Sequence, residues 1–266
     1  MIANISALRT RLRVTGADRV EFLHGQCTND IKRLSLGEDC YVAFLNAKGK
    51  MRGDGYVICQ TDAFLLETSP GMQQSLEKFI ITEDVLIEDV SALFGEWLVI
   101  ADNPATPPAD AVTFHHALGL GVIGIGGMEE TVDPSALEVL RVETAVPQWG
   151  SDMDQDTIPN EAGLEKRAIR YDKGCYIGQE TIARIRTYGH VNRRLVQLAL
   201  FGQDIPRKGD KLSADGRGVG EVTSAVFSSR LGKPLALGYV RRELARPGAT
   251  LNWNNQPAEV RIVCGE

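Results

Sequence analysis

Lys173-Gly174-Cys175-Tyr176-Ile177-Gly178-Gln179-Glu180 sets a lone cysteine between two glycines, with an amphipathic run, Glu180-Thr-Ile-Ala-Arg-Ile-Arg186, directly behind it. Neither glycine carries a Cβ, so the backbone there can turn tightly or approach another group closely. The run predicts a helix over 179–186, which puts Cys175 just before a helix N-terminus, where unpaired N–H groups favour negative charge. Lys173 lies two residues away. Such surroundings favour the thiolate, the form that attacks electrophiles or binds metal. The octet also reads as a small buried hydrophobe in a glycine turn. The two readings part on whether Cys175 is exposed.

Downstream, Arg184, Arg186, Arg193 and Arg194 make a basic patch. From Val191 onward, short β-rich pieces alternate with Gly/Pro/Asp turns: Leu195–Phe201, Val219–Phe227, Ala236–Val240, Ala249–Trp253 and Ala258–Val263. That pattern predicts a small antiparallel barrel as a separate domain, 191–266.

Upstream lies a long acidic loop, Pro147 to Pro159. Its carboxylates at 152, 154 and 156 alternate, but the central glycine and distant glutamate of a calcium loop are missing. Asp133-Pro134 predicts a helix start, with the helix ending near Glu143. Earlier still, residues 9–14 read as a strand. Asp18 and Glu21 have capping-box spacing for a helix that Gly25 would stop. Gly25 to Ile31 is a polar loop. Tyr41–Asn46 and Met51–Gln60 read as a hairpin, with Gly53-Asp54-Gly55 inside the second strand, where glycine often marks close backbone approach. Phe64–Thr68 is a third strand, and Ser69 caps a helix reaching about Ile80. Val85–Val90 and Glu96–Ala101 continue the strand pattern, and Asp102–Asp110 reads as a surface loop. His115 and His116 follow on a strand and point to opposite faces, one packed and one solvated.

The 266 residues exceed one typical domain, and the 43% hydrophobic, 24% charged composition is that of a globular protein without need of disulfide staples. A net charge of −6 argues against strong general nucleic-acid binding. Five scattered cysteines, with no CxxC pair or Cys/His cluster, point away from a metal site held by one chain and towards a reducing compartment. The N-terminus has no apolar run of signal-peptide length, and Ala117 to Met128 is too short to span a bilayer. These features imply a cytoplasmic protein with no membrane partner.

The octet resembles the signature of the YgfZ family, folate-binding proteins implicated in maintaining iron–sulfur proteins and in tRNA modification, and a sister group of the glycine-cleavage T-protein (aminomethyltransferase). Gly218-Val-Gly-Glu-Val-Thr-Ser-Ala-Val-Phe-Ser, Leu235-Ala-Leu-Gly-Tyr-Val and Arg246-Pro-Gly are similar to the T-protein C-terminal domain. Leu140 to Asp154 resembles the segment around the T-protein's pterin-binding glutamate, which would be Glu143. Ile158-Pro-Asn-Glu-Ala-Gly places Glu161 near the same cavity, and His24-Gly-Gln-Cys-Thr-Asn-Asp-Ile resembles the family's first cavity-lining loop. Lys48 to Val57 aligns with the strand that carries an Asp-Asp pair in T-proteins. Here that pair reads Gly53-Asp54, which puts aminomethyl transfer in doubt. T-proteins are also longer and lack the cysteine octet.

The resemblance implies an α+β fold with three lobes around a central folate-sized channel: 1–46 plus 132–190, 47–131, and the barrel 191–266. It implies a tetrahydrofolate or other reduced-folate cofactor, iron–sulfur client proteins as partners, and catalytic roles for Cys175, Lys173 and Asp54. Cofactor-binding roles fall to Glu143, Asn29, Asp54, Glu161, Trp149 and Arg184, with no metal. A pterin edge presents parallel donors that one ionised carboxylate can accept. Two rival functions stay open: a folate-dependent aminomethyltransferase and a non-catalytic folate-binding scaffold.

Overall fold

The computed structural model describes residues 1–100 and 106–266, with no cis peptide among them. Fifteen strands and five α-helices are assigned within these residues. Contacts gather the chain into two compact units, Met1–Pro134 with Arg167–Thr181, and Ser135–Lys166 with Ile182–Glu266.

The first unit holds two antiparallel sheets. One has five strands, β3 (Asp39–Leu45), β4 (Met51–Cys59), β5 (Phe64–Thr68), β2 (Thr10–Thr15) and β6 (Leu86–Asp89), in that spatial order. β4, an interior strand, reads as a near-continuous buried run, whereas edge strand β6 buries only Ile87. Helices α1 (Arg19–Gln26) and α2 (Met72–Glu77) cover the sheet, and Leu12, Phe22, Leu23, Phe44, Leu66 and Leu76 share its core. The second sheet orders β1 (Ile2–Asn4), β7 (Gly95–Val99), β9 (Gly119–Gly124) and β8 (Val112–His116).

In the second unit, β10 (Arg193–Leu200), β13 (Lys233–Arg241), β12 (Arg217–Ser228), β11 (Lys211–Ala214), β14 (Thr250–Trp253) and β15 (Gln256–Val263) close into an antiparallel barrel. Alternate residues of β12 point inward, and Val196, Leu198, Val222, Leu251 and Val260 fill the interior. Helix α3 (Pro134–Glu143) packs on the outside, its Val142 clustering with Leu195, Leu235 and Leu237. α4 (Glu165–Ala168) and α5 (Gln179–Tyr188) complete the helices. The fold is α+β with a closed six-stranded barrel, as the strand spacing and turn residues predict.

Local differences have identifiable causes. The Asp18 side chain makes no cap. It accepts from the Asp84 N–H at 2.8 Å, and Glu21 pairs with Lys32 instead of closing a box. With Gly25 free of strain, α1 continues to Gln26. Ser69 does not cap α2 either, because its hydroxyl donates to Asp54 at 2.6 Å, and α2 starts after Gly71 and is shorter than expected. Strands β1, β9 and β11 carry too few patterned residues to stand out in sequence. The loop expected over 102–110 falls partly, and the end of the 96–101 strand wholly, outside the described residues. A lobe boundary at 46/47 would cut the β3–β4 hairpin, whose strands pair from Asp39↔Ile58 to Leu45↔Met51. One at 190/191 would part the barrel from α3, which shares a core with it.

Candidate functional site

The octet folds as its spacing implies, and α5 starts at Gln179. Gly178 has φ +84°, and a Cβ there would lie 2.5 Å from the Asn46 carbonyl oxygen, so the tight approach to the β3–β4 turn needs glycine. Cys175 is the exposed member of the five cysteines. It lines a surface cavity of about 410 Å³ together with His24, Asp30, Lys32, Arg33 and Lys173. Lys173 is 8% exposed, and its ammonium donates to the carbonyls of His24 (2.7 Å), Cys27 (2.6 Å) and Asn29 (3.0 Å). It also lies 4.9 Å from the Tyr176 ring centre. Its charge is committed to binding the octet to the end of α1 and the loop behind it. Burial lowers its pKa from the ordinary lysine value.

Asn29 links this loop to a second cluster in the same unit. Its amide donates to the Tyr41 carbonyl at 2.9 Å, and the Tyr41 hydroxyl donates to Asp54 at 2.5 Å. Asp54, 4% exposed, also accepts from Arg9 (2.9 Å) and Ser69 (2.6 Å). Burial opposes its ionisation, but Arg9 and the Ser69 and Tyr41 hydroxyls outweigh that and hold it below the usual carboxylate range. Arg9 bridges from Asp54 to the buried Glu67. Tyr41 packs tilted against Tyr56 (4.9 Å between ring centres), Tyr56 likewise against Phe114 (4.8 Å), and the Arg167 guanidinium lies 4.8 Å from the Tyr41 ring centre. His116 packs against Tyr56 while His115 is exposed, as strand alternation requires. At Gly53, a Cβ would lie 2.5 Å from the Met72 sulfur and 3.3 Å from the Ser69 hydroxyl. The space of a carboxylate at 53 is therefore filled.

The other predicted residues belong to the second unit. Glu143, at the end of α3, accepts from Ser228 (2.5 Å) and Arg230 (2.9 Å). The Ser228 hydrogen bond, and then Arg230, lower its pKa against a smaller burial effect. Glu161 pairs with Arg193 at 3.2 Å, and Arg193 lies 4.5 Å from the Tyr239 ring centre. The Glu161 carbonyl accepts from the Leu195 N–H, and the Glu143 carbonyl from the Gln197 side chain, so both are anchored on β10. Trp149 makes a bridge to Met153 in the acidic loop. Arg184 is an exposed residue of α5. The basic patch is partly neutralised, since Arg193 pairs with Glu161 and Arg194 with Glu266. The acidic loop is held by Asp152, which accepts from Arg141 (2.5 Å), Thr223 (2.5 Å) and Ser224 (2.8 Å).

Sequence reasoning missed Arg9, Tyr41, Ser69 and Arg167, whose contacts lie 13 or more residues away, and the approach of His24 to Asp30. The signal available was modest: Asp30 falls in the polar loop already singled out, and His24 directly precedes it. Among the described residues, no group of three His, Cys, Asp or Glu side chains is placed to hold a metal ion, and no helix is long and apolar enough to cross a membrane.

Residues 193–263 match the family described as the glycine cleavage T-protein C-terminal barrel domain. An aminomethyltransferase of Nostoc sp. is 27% identical over an alignment covering 95% of this chain and 78% of that protein. A chloroplastic protein of Arabidopsis thaliana, provisionally named a transferase, is 28% identical over 91% of this chain and 65% of its own length. An aminomethyltransferase of Thermosynechococcus vestitus is 41% identical, over 44% of this chain and 31% of that one. The crystal structure of glycine cleavage system aminomethyltransferase T from Bartonella henselae superposes with a TM-score of 0.83, covering 98% of this chain and 84% of that one at 20% identity. The chain thus has the T-protein fold.

Proposed function

We propose that this protein binds a reduced folate and supports iron–sulfur proteins through the Cys175 thiol, without transferring aminomethyl groups itself. The carrying observation is the contrast between two sites of the first unit. Cys175 is exposed at a cavity, whereas the Gly53 position is filled by Met72 and the Asp54 carboxylate is already bound by Arg9, Ser69 and Tyr41. The folate part rests on the T-protein fold and on Glu143. A carboxylate offers about four lone-pair directions, and Ser228 and Arg230 use two of them. An ionised Glu143 can therefore still accept two donors from a pterin edge. Asn29, Glu161, Trp149 and Arg184 are the further candidates for folate contact.

Calorimetric titration with tetrahydrofolate tests the folate reading. Glu143→Ala is expected to weaken binding by about 1.5–3 kcal/mol, the range for hydrogen bonds to a charged group. Unchanged affinity removes Glu143 from the site. Brief iodoacetamide treatment with peptide mapping tests the thiol reading. Cys175 should label first, because Cys27 and Cys264 are buried, with thiols pushed up to about 11 and about 12 by burial. Labelling of Cys175 only after unfolding would make the scaffold reading the better one.

The second reading is a folate-dependent aminomethyltransferase with Asp54 orienting the folate, favoured by the names of the Nostoc and Thermosynechococcus relatives. Folate-dependent ammonia release from an aminomethylated carrier would establish it.

A further inference from the structure

Beside Cys175 lies a histidine that nothing above employs. His24 is 6% exposed, lines the same cavity, and its Nδ1 makes no hydrogen bond. The nearest acidic group to Nδ1 is Asp30 Oδ1 at 3.6 Å. Asp30 is itself fixed, accepting from the Lys32 N–H at 3.2 Å and pairing with Arg33 at 2.9 Å. The other ring nitrogen, Nε2, is directed towards the octet: it lies 3.7 Å from the position a Cβ would take at Gly174, the residue before Cys175. A carboxylate on the Nδ1 side favours the tautomer with the proton on Nδ1 and a lone pair on Nε2. A buried imidazole lining the cavity of an exposed thiol supplies the residue types of an activated nucleophile and its base.

We infer that His24, with its Nδ1 facing Asp30, is the proton acceptor for Cys175, and that the cavity is a thiol–disulfide exchange site for a small disulfide carrying charges of both signs. The inference rests on the reading of Cys175 as the reactive group, but not on folate or on iron–sulfur clients. The Cys175 proton passes to His24 Nε2. The thiolate attacks one sulfur of the disulfide, a Cys175 S–S bond forms, and the original S–S bond breaks. The departing thiolate takes the proton back from His24, so one mixed disulfide and one free thiol replace one thiol and one disulfide. Exchange of this kind needs a thiolate and a proton shuttle and no further catalytic group. The cavity wall carries the ion pairs Lys32–Glu21 and Arg33–Asp172, with which a ligand bearing both ammonium and carboxylate groups can exchange partners.

Burial, and then Lys173, lower the His24 pKa, which favours the neutral imidazole. Lys32 acts in the same direction, while Asp30 and Glu21 oppose it. Arg33 and Asp172 also face the cavity.

Glutathione disulfide is the probe, with the mixed disulfide at each cysteine followed by peptide mass spectrometry from pH 5 to 10. In the wild type, the Cys175 rate should rise at a pH well below the reference thiol value of ~8.5. His24→Gln should lower the pH 7 rate by roughly tenfold, shift the profile towards that of a free thiol, and leave the pH 10 rate unchanged, since the thiolate then forms without a base. A merely structural role would lower the rate at every pH. Asp30→Asn should give a smaller loss with the same shift. A wild-type profile with an ordinary thiol midpoint overturns the inference, whether or not the variants fold. It leaves Cys175 as a reactive residue. Failure of Cys175 to react at any pH overturns both this inference and the reading it rests on.

Discussion

Arg9 serves two carboxylates at once, Asp54 and Glu67, and beside it Arg11 serves Glu96 alone, through one hydrogen bond of 3.1 Å. Both glutamates are buried, and Glu96 Oε1 has no partner. Burial, and then the neighbouring Glu67 carboxylate, push the Glu96 carboxyl up to about 8, with Arg9 and Arg11 pulling the other way. A group whose folded pKa lies above its unfolded value contributes stability that is complete below the unfolded pKa and is lost as pH rises through the folded one. The stability of the wild type relative to Glu96→Gln should therefore fall by on the order of a few kcal/mol between pH 5 and pH 8. Thermal midpoints of the two proteins at both pH values measure this. A gap that does not change with pH would show that Glu96 is ionised throughout.

The two glycines of the octet, alike in sequence, do different jobs in the turn before α5. Gly178 has a left-handed φ and sits against the Asn46 carbonyl, whereas a Cβ at Gly174 meets nothing closer than His24 Nε2 at 3.7 Å. Gly178→Ala should cost about 1–3 kcal/mol in urea unfolding. Gly174→Ala should stay within about 0.5 kcal/mol. Equal costs would contradict this division. The acidic loop after α3 is likewise an ordered element and not a slack connection. Asp152 ties it to Arg141 on α3 and to Thr223 and Ser224 on β12. Asp152→Ala leaves the buried Arg141 charge without this partner and should cost about 3–5 kcal/mol. Earlier proteolytic cutting within 147–159 would accompany the loss. Full protection of that loop in the variant would mean that other contacts hold it.

Across the whole chain, the barrel is a closed ring of strands with α3 packed on its outer face. Its outer residues Leu195, Ala199, Leu235 and Leu237 share a core with Val142 and Ala145 from α3 and the turn behind it. A fragment of residues 191–266 uncovers that cluster. It should bind a hydrophobic dye and self-associate, while a linked fragment joining 135–166 to 182–266 should not. Monomeric behaviour of the shorter fragment would restore the boundary that composition alone implies.

Much of the fold was legible from residue pattern. The β3–β4 hairpin, β5, the proline-started helix α3, the start of α5 and most barrel strands follow from alternation, turn residues and caps. All of these are interactions within a few residues. What sequence could not supply was where polar side chains spend their hydrogen bonds. Asp18 and Ser69 look like helix caps, yet Asp84 and Asp54 claim them from 66 and 15 residues away. Cys175 could be named from its octet, but its exposure and its place in one cavity with His24 depend on chain segments far apart in sequence. Gly53 reads in sequence as a missing carboxylate. Only the packing of Met72 against it shows that the space is taken. Local preference is written along the chain, whereas burial and the pairing of distant charges exist only once the sheets have closed around them.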